Sequence, residues 1–292
     1  MRVYSLYVPQ TTCDAQKPAP LVVAVPCFGC DSSTFDEYHD LCDEYGFILA
    51  SPRGTGSVPS FNAQHCCGEA LDNKMDDVGF IIKMVEELAR ELGSLSSSDV
   101  FAIGWSNGGY LISLIAMHPA SPFKAIAPIS GHQYHGYQNI TSPLPVFMHH
   151  SRNDRFVRYT GCCTDHSKPR CCCGIPDDSP PSCTSAQEVF DQWASDVNHC
   201  KGSSYTAYED HSTGVTCFSV DGCQASSHLC QYRYHGHFNS PRHEFPLRMR
   251  QAIFSFFLRE TCSSSKPYIE KRVDEIYSTS FAQSFCLVTD RI

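Results

Sequence analysis

The order of apolar and polar positions predicts strands that alternate with helices along most of the chain. Residues 21–25 form a continuous apolar run, which is typical of a strand buried on both faces of a sheet. Residues 72–92 instead carry apolar side chains at three- and four-residue spacing, which predicts an amphipathic helix. A strand at 100–103 leads into a helix that begins near Asn107. This alternation predicts an α/β fold with a doubly wound, mostly parallel sheet and helices on both faces.

Shorter segments fit the same pattern. We predict further strands at 3–8 (an edge strand), 47–50, 125–129, 146–149, 215–220 and 229–234. Helices are predicted at 35–45, 185–197 and 244–258. A polar run at 31–34 supplies capping side chains for the helix at 35–45, and Gly46 is its expected left-handed C-cap. The predicted elements therefore indicate a single α/β catalytic domain over 1–260, a usual length for one such domain.

Two segments do not fit the alternation. Residues 160–184 hold six cysteines and four prolines with almost no apolar content, so we expect an insertion held by disulfides beside the functional site. Residues 261–292 form an uneven polar tail, which Cys262 and Cys286 are expected to tether.

The number of cysteines indicates the cellular compartment in which the protein functions. The chain has 18 cysteines, an even number that is typical of proteins from an oxidising environment. We therefore expect most thiols to be oxidised and the protein to be extracellular, with its leader absent from this chain. Adjacent cysteines, such as Cys66 and Cys67, are expected to bond to remote segments rather than to each other. A zinc site using Cys27-x-x-Cys30 and His166 is the alternative, although no second pair follows at the spacing of a zinc finger.

Charge and hydropathy exclude several classes of partner. The net charge of −9 disfavours nucleic acid and anionic membranes. No run of 18 apolar residues is present, so no segment is predicted to span a membrane. We expect a monomer that acts on a small or polymer-linked substrate.

A serine lies at the junction of the predicted strand 100–103 and the following helix. The pattern Gly104-x-Ser106-x-Gly108 is that of a nucleophile elbow, in which a strained turn lifts the serine hydroxyl above the sheet. Glycine is needed on both sides because strand and helix approach too closely for side chains. The strand before the turn and the helix after it are the context that this motif requires.

A serine nucleophile needs a base, and the base needs a carboxylate to orient it. In chains with this elbow the acid and then the histidine follow later strands. Asp154 follows the strand at 146–149 and is the candidate acid. His235 and His237 both follow the strand at 229–234, and chain order does not separate them.

The oxyanion formed during acyl transfer requires two backbone N–H donors. One is expected from Asn107, the residue after the nucleophile. The other is expected from the turn after the strand at 21–25, at Cys27 or Phe28. This chemistry requires no metal and no organic cofactor.

Several segments have counterparts in one known family. They are Tyr4–Pro9, Phe61-Asn62 with Cys66-Cys67-Gly68, Asp76–Phe80, the elbow at 104–109, His150-x-x-x-Asp154-x-x-Val157-x-Tyr159, and His235-Gly236-His237. Over residues 2–259 the chain resembles the secreted polyhydroxybutyrate depolymerase-like and feruloyl esterase group of α/β-hydrolases. The resemblance implies that His237 is the base and that Phe28 supplies the second oxyanion donor. The family usually has His-Gly where this chain has Pro26-Cys27, and a related plastic-degrading group has Pro-Gly.

The resemblance further implies a secreted serine carboxylesterase that uses Ser106, His237 and Asp154. It places feruloyl esters of cell-wall polysaccharide first among substrates, acetylated xylan second and aliphatic polyester third. A serine peptidase would use the same three residues. A non-catalytic, disulfide-rich binding protein on the same scaffold is the alternative of another class.

Overall fold

The computed structural model describes residues 2–10, 18–64, 66–93, 95–132, 142–161, 184–233 and 246–262. Most of the predicted insertion at 160–184 and of the tail at 261–292 lies outside these ranges, as do His235 and His237.

One sheet of nine strands organises the described chain. The strands are β1 (Tyr4–Tyr7), β2 (Ala19–Val25), β3 (Ile48–Pro52), β4 (Leu95–Trp105), β5 (Ala125–Ile129), β6 (Val146–Ser151), β7 (Ser204–Asp210), β8 (Val215–Val220) and β9 (Ser227–Tyr232). Their order across the sheet is β1-β3-β2-β4-β5-β6-β9-β8-β7. The six strands from β3 to β9 in this order pair in parallel, whereas β1, β8 and β7 pair antiparallel. The predicted mostly parallel sheet is confirmed.

Helices pack on both faces of this sheet. They are α1 (His39–Tyr45), which follows a 3₁₀ turn at Ser32–Tyr38, α2 (Gly68–Asp72), α3 (Asp77–Glu91), α4 (Asn107–Ala116), α5 (Ala186–Gln192), which continues into a π-helical turn at Trp193–Val197, and α6 (Leu247–Cys262). Among the described helices, none is long and apolar enough to cross a bilayer.

The apolar run at 21–25 contributes to two separate cores. Leu21, Val23 and Val25 face the layer that contains α3 and α4, where they join Ile81 and Leu111. Val22 and Ala24 face the opposite layer, where they join Phe47 and Phe254. Because successive side chains of a strand point to opposite faces, a strand covered on both sides must be apolar at every position.

The capping residues act as the sequence predicts at the first helical segment. The Asp31 side chain accepts a hydrogen bond of 3.0 Å from the backbone N–H of Ser33. Gly46 ends α1 with φ of 74°, in the left-handed region that favours glycine. The long helix predicted at 72–92 is present as α3 but begins at Asp77, because Asp76 caps its start by accepting from the N–H of Gly79 at 2.8 Å. The short α2 before it was not predicted.

Four disulfides lie in the described residues, joining Cys27 to Cys30, Cys66 to Cys67, Cys200 to Cys223 and Cys217 to Cys230. The expectation that adjacent cysteines bond elsewhere is wrong at Cys66 and Cys67. Both residues are buried next to the elbow, and their sulfur atoms are bonded to each other. The bond between Cys27 and Cys30 also removes both thiols from the zinc alternative. Within the described ranges, no group of three or more His, Cys, Asp or Glu side chains could hold a metal.

Candidate active site

The candidate nucleophile stands at the carboxyl end of β4, in the centre of the sheet. Ser106 has φ of 53° and ψ of −116°, and its N–H donates to the carbonyl oxygen of Ile129 at 2.8 Å. A positive φ is unfavourable for a residue with a Cβ, so the neighbouring strand and helix must hold it in place. The strained elbow that the motif predicts is present.

Close backbone packing explains the two glycines of the motif. A Cβ on Gly104 would overlap the carbonyl group of Gly108 in the first turn of α4. A Cβ on Gly108 would overlap the carbonyl oxygens of Val25 and Pro26. The elbow therefore lies directly against the end of β2, and the turn that follows β2 lies beside it.

Both candidate oxyanion donors lie at this junction. Asn107 is the first residue of α4, and the first N–H groups of a helix have no partner within it. Phe28 lies in the turn after β2, which the Cys27–Cys30 bond closes. Among the described residues, no hydrogen bond to the N–H of Phe28 is present. Both N–H groups are thus available, and the helix N-terminus adds a partial positive charge.

The candidate acid is held by its own loop. Asp154 is buried, and its Oδ1 accepts from the N–H groups of Phe156 and Val157 at 2.9 and 2.8 Å. The Oδ2 atom lies 3.6 Å from Nε2 of His150. That Nε2 also lies 2.7 Å from the carbonyl oxygen of Val157, which can only accept, so Nε2 carries a proton. His150 thereby fixes the loop that positions Asp154.

The candidate bases, His235 and His237, lie outside the described residues. The strand before them, β9, pairs in parallel with β6, and Tyr232 is opposite Ser151. The side chain of Asn153, next to Asp154, donates to the carbonyl oxygen of Arg233. The chain therefore leaves β9 beside the acid loop.

Two further histidines are buried near this edge of the sheet. His132 lies 3.5 Å from His150 between their Nδ1 atoms, and burial, followed by the charge of His150, holds the pKa of His132 well below its ordinary value. Burial, followed by the charge of His228, lowers the pKa of His149 to about 3. Nδ1 of His149 is 2.8 Å from the hydroxyl of Tyr232. Both His132 and His149 are therefore neutral in the folded protein at neutral pH.

The buried, neutral His149 makes stability depend on pH. In the unfolded chain its pKa returns to about 6.5, so below this pH the unfolded state binds a proton that the folded state rejects. The stability that depends on neutral His149 is fully present above pH 6.5. It is lost as the pH falls toward 3, at up to about 1.4 kcal/mol per pH unit. We expect His149→Gln to flatten this dependence in urea unfolding measured from pH 7 to 4.

The exposed His211 supplies the matched control for that measurement, since His211→Gln also removes one imidazole. Its curve should run parallel to that of the wild type. Equal slopes for wild type and His149→Gln would show that folding does not lower the pKa of His149.

Similar proteins were found by sequence and by fold. Residues 35–136, about a third of the chain, match the prolyl oligopeptidase family (Peptidase_S9). Feruloyl esterase B of Talaromyces funiculosus is 27% identical over 158 residues, which cover 53% of this chain and 44% of that protein. Feruloyl esterase B of Talaromyces stipitatus is 30% identical over 128 residues, which cover 43% and 35%. The chain thus spans less than half the length of these relatives.

The fold comparison covers more of the chain. An acetyl xylan esterase from Aspergillus awamori superimposes with a TM-score of 0.53 at 17% identity, over 81% of this chain and 93% of that one. The two chains therefore share their overall fold. The chain has the α/β-hydrolase fold. The resemblance to esterases with this fold, predicted from the motifs, is confirmed.

Within this fold, Ser106 and Asn107 lie at the junction with the end of β2, Phe28 lies in the turn that follows β2, and Asp154 lies just after β6. The structure also reveals contacts that the sequence did not indicate. The Asn107 side chain, for which no contact is predicted from the sequence, bonds to the chain at Phe61 and Cys66. No spacing or composition signal predicts such long-range hydrogen bonds.

Proposed function

We propose that the protein is a secreted serine carboxylesterase that works through an acyl-enzyme. The observation that carries this proposal is the strained elbow: Ser106 has φ of 53° at the N-terminus of α4, and the carbonyl groups of Val25 and Pro26, which lead into the turn with Phe28, pack against Gly108. Such an elbow presents a hydroxyl where two backbone N–H groups can stabilise negative charge.

The proposed reaction has two halves. Oγ of Ser106 attacks the ester carbonyl carbon while His237 takes its proton and Asp154 holds the imidazole. The N–H groups of Phe28 and Asn107 stabilise the oxyanion of the tetrahedral intermediate. The intermediate collapses to the acyl-enzyme, and the leaving alcohol takes the proton from His237. Water then attacks the acyl group by the same steps, which releases the acid and restores Ser106.

We further propose feruloyl esters of cell-wall polysaccharide as the substrates. The two feruloyl esterase B relatives support this class. The side chain of Phe28 is 46% exposed beside the proposed oxyanion donor, so it offers an apolar surface to an aromatic acyl group. Acetylated xylan is the second candidate substrate, because the structurally similar Aspergillus protein is named an acetyl xylan esterase. Aliphatic polyester is the third.

The proposed extracellular location rests on the disulfides of the described residues. Disulfides form and persist in oxidising compartments. Thiol counting on the denatured, unreduced protein tests this part, because a cytosolic protein would present mostly free thiols.

A second candidate activity is peptide hydrolysis, favoured by the match of residues 35–136 to the prolyl oligopeptidase family. Turnover of methyl ferulate, an aryl acetate and a proline-containing peptide amide, measured side by side, separates the candidates. We expect the highest kcat/KM for methyl ferulate. Preference for the amide would establish the peptidase, and no turnover of any substrate would favour a non-catalytic binding protein.

A further inference from the structure

The segment before α2 touches both proposed oxyanion donors. We call residues 59–64 and 66–68 the bracing segment, and we propose that its Cys66–Cys67 disulfide sets the separation of the two donor N–H groups. This inference rests on the proposed function, because it assigns a positioning role within the same site. The alternative is that the disulfide only stabilises the fold.

The bracing segment holds Asn107 through its side chain. Oδ1 of Asn107 accepts from the N–H of Phe61 at 2.8 Å, and Nδ2 donates to the carbonyl oxygen of Phe61 at 2.9 Å. Nδ2 also donates to the carbonyl oxygen of Cys66 at 3.1 Å. Asn107 is fully buried, so these bonds are shielded from water and fix the start of α4 against the segment.

The same segment holds the turn at Phe28. The N–H of Gly29 donates to the carbonyl oxygen of Pro59 at 2.7 Å. Gly68 lies under the ring of Phe28, where an added Cβ would come within 2.5 Å of Cε2 of the ring. Pro59 and Gly68, at the two ends of the bracing segment, thus both contact the turn after β2 that holds Phe28.

The disulfide lies between these two supports. Cys66 carries the carbonyl that accepts from Asn107, and Cys67 immediately precedes the Gly68 that supports Phe28. The peptide bond between these two residues already joins the contact with one donor to the contact with the other, and the disulfide closes an eight-membered ring across it. This ring restricts rotation of the backbone between the two contacts. Without it the orientation of each contact relative to the other is less fixed, and an oxyanion hole is effective only while both donors point at one atom.

The test removes the Cys66–Cys67 bond and compares the effect on kcat with that of removing a disulfide remote from the site. In Cys66→Ala/Cys67→Ala we expect kcat for an aryl acetate to fall by at least about tenfold, with KM changed by less than about threefold, because the donors act mainly in the transition state. The matched control is Cys200→Ala/Cys223→Ala, whose bond lies near the amino end of β9, at the opposite edge of the sheet from the elbow. Its kcat should stay within about twofold of the wild type, even if its melting temperature falls.

A glycine pair repeats the test without touching a cysteine. Gly68 and Gly46 both have positive φ, at 69° and 74°, but an added Cβ meets no atom within 4 Å at Gly46. Gly68→Ala and Gly46→Ala should therefore carry similar backbone strain, and only Gly68→Ala adds an overlap with the Phe28 ring. Only Gly68→Ala should also lower kcat by about tenfold, because it displaces the Phe28 turn.

A second readout separates positioning from stability. Binding of phenylboronic acid, which mimics the tetrahedral intermediate, should weaken in parallel with kcat/KM in both altered variants. An unchanged kcat in folded Cys66→Ala/Cys67→Ala and in Gly68→Ala would overturn the inference. If wild type and Ser106→Ala instead hydrolyse the ester equally, the proposed function itself has failed.

Discussion

Replacement of Ser106 by alanine is expected to lower kcat for an activated ester by at least about a thousandfold, as loss of a triad serine does. In the proposed mechanism this hydroxyl forms the acyl-enzyme, so the substitution removes the nucleophile. The fold should persist, because the bond from the Ser106 N–H to Ile129 is made by the backbone. Steady-state kinetics of the wild type and Ser106→Ala measure the loss of activity, and their melting temperatures show whether the fold persists.

Ser130 offers a matched control in the same layer. It is a fully buried serine with φ of 47°, at the end of β5. Among the described residues, its hydroxyl has no hydrogen-bond partner. Ser130→Ala therefore makes the same chemical change on a similar backbone, and kcat should remain within about twofold of the wild type. Comparable activity of Ser106→Ala and wild type would exclude Ser106 as the nucleophile.

The second large effect concerns the base. His237→Ala should be as damaging as Ser106→Ala, and the double variant should lose little more, since members of a triad act as one unit. His235→Ala should cost far less. The chain leaves β9 beside the acid loop, and Asn153 there bonds to Arg233, so this stretch is anchored close to Asp154. The same kinetic assay on the four variants measures the ranking.

The opposite ranking would assign the base to His235. Activity retained in both single variants would show that neither histidine serves Ser106, and the proposed triad would then be wrong. Thermal unfolding of each variant separates a loss of activity from a loss of fold.

The central sheet was predictable because its strands are short runs of consecutive, strongly apolar residues. The run at 21–25 must be buried on both faces, and the packing of Val23 and Val22 into two separate cores confirms this. The elbow was predictable because its two glycines are required by backbone contacts that recur wherever a strand meets a helix this closely.

Other features depend on contacts that no local pattern encodes. The edge strand β7 was missed because its residues are half-exposed and polar, and its pairing with β8 alone defines it. The Cys66–Cys67 bond was not predicted, and the contact of Cys66 with Asn107, a residue some forty positions away, has no signal in the local sequence either. Cysteine counts indicate that disulfides form, but connectivity arises from the three-dimensional fold.

Covalent labelling tests the central claim, that Ser106 is the nucleophile of an acyl-transfer site, most directly. The protein is incubated with a fluorophosphonate, which phosphonylates activated serines, and is then digested and analysed by mass spectrometry. We expect one adduct, on Ser106, that forms in parallel with the loss of ester hydrolysis and is absent from Ser106→Ala. An adduct on a different residue that accompanies the loss of activity, or full inactivation with Ser106 unmodified, would contradict this account.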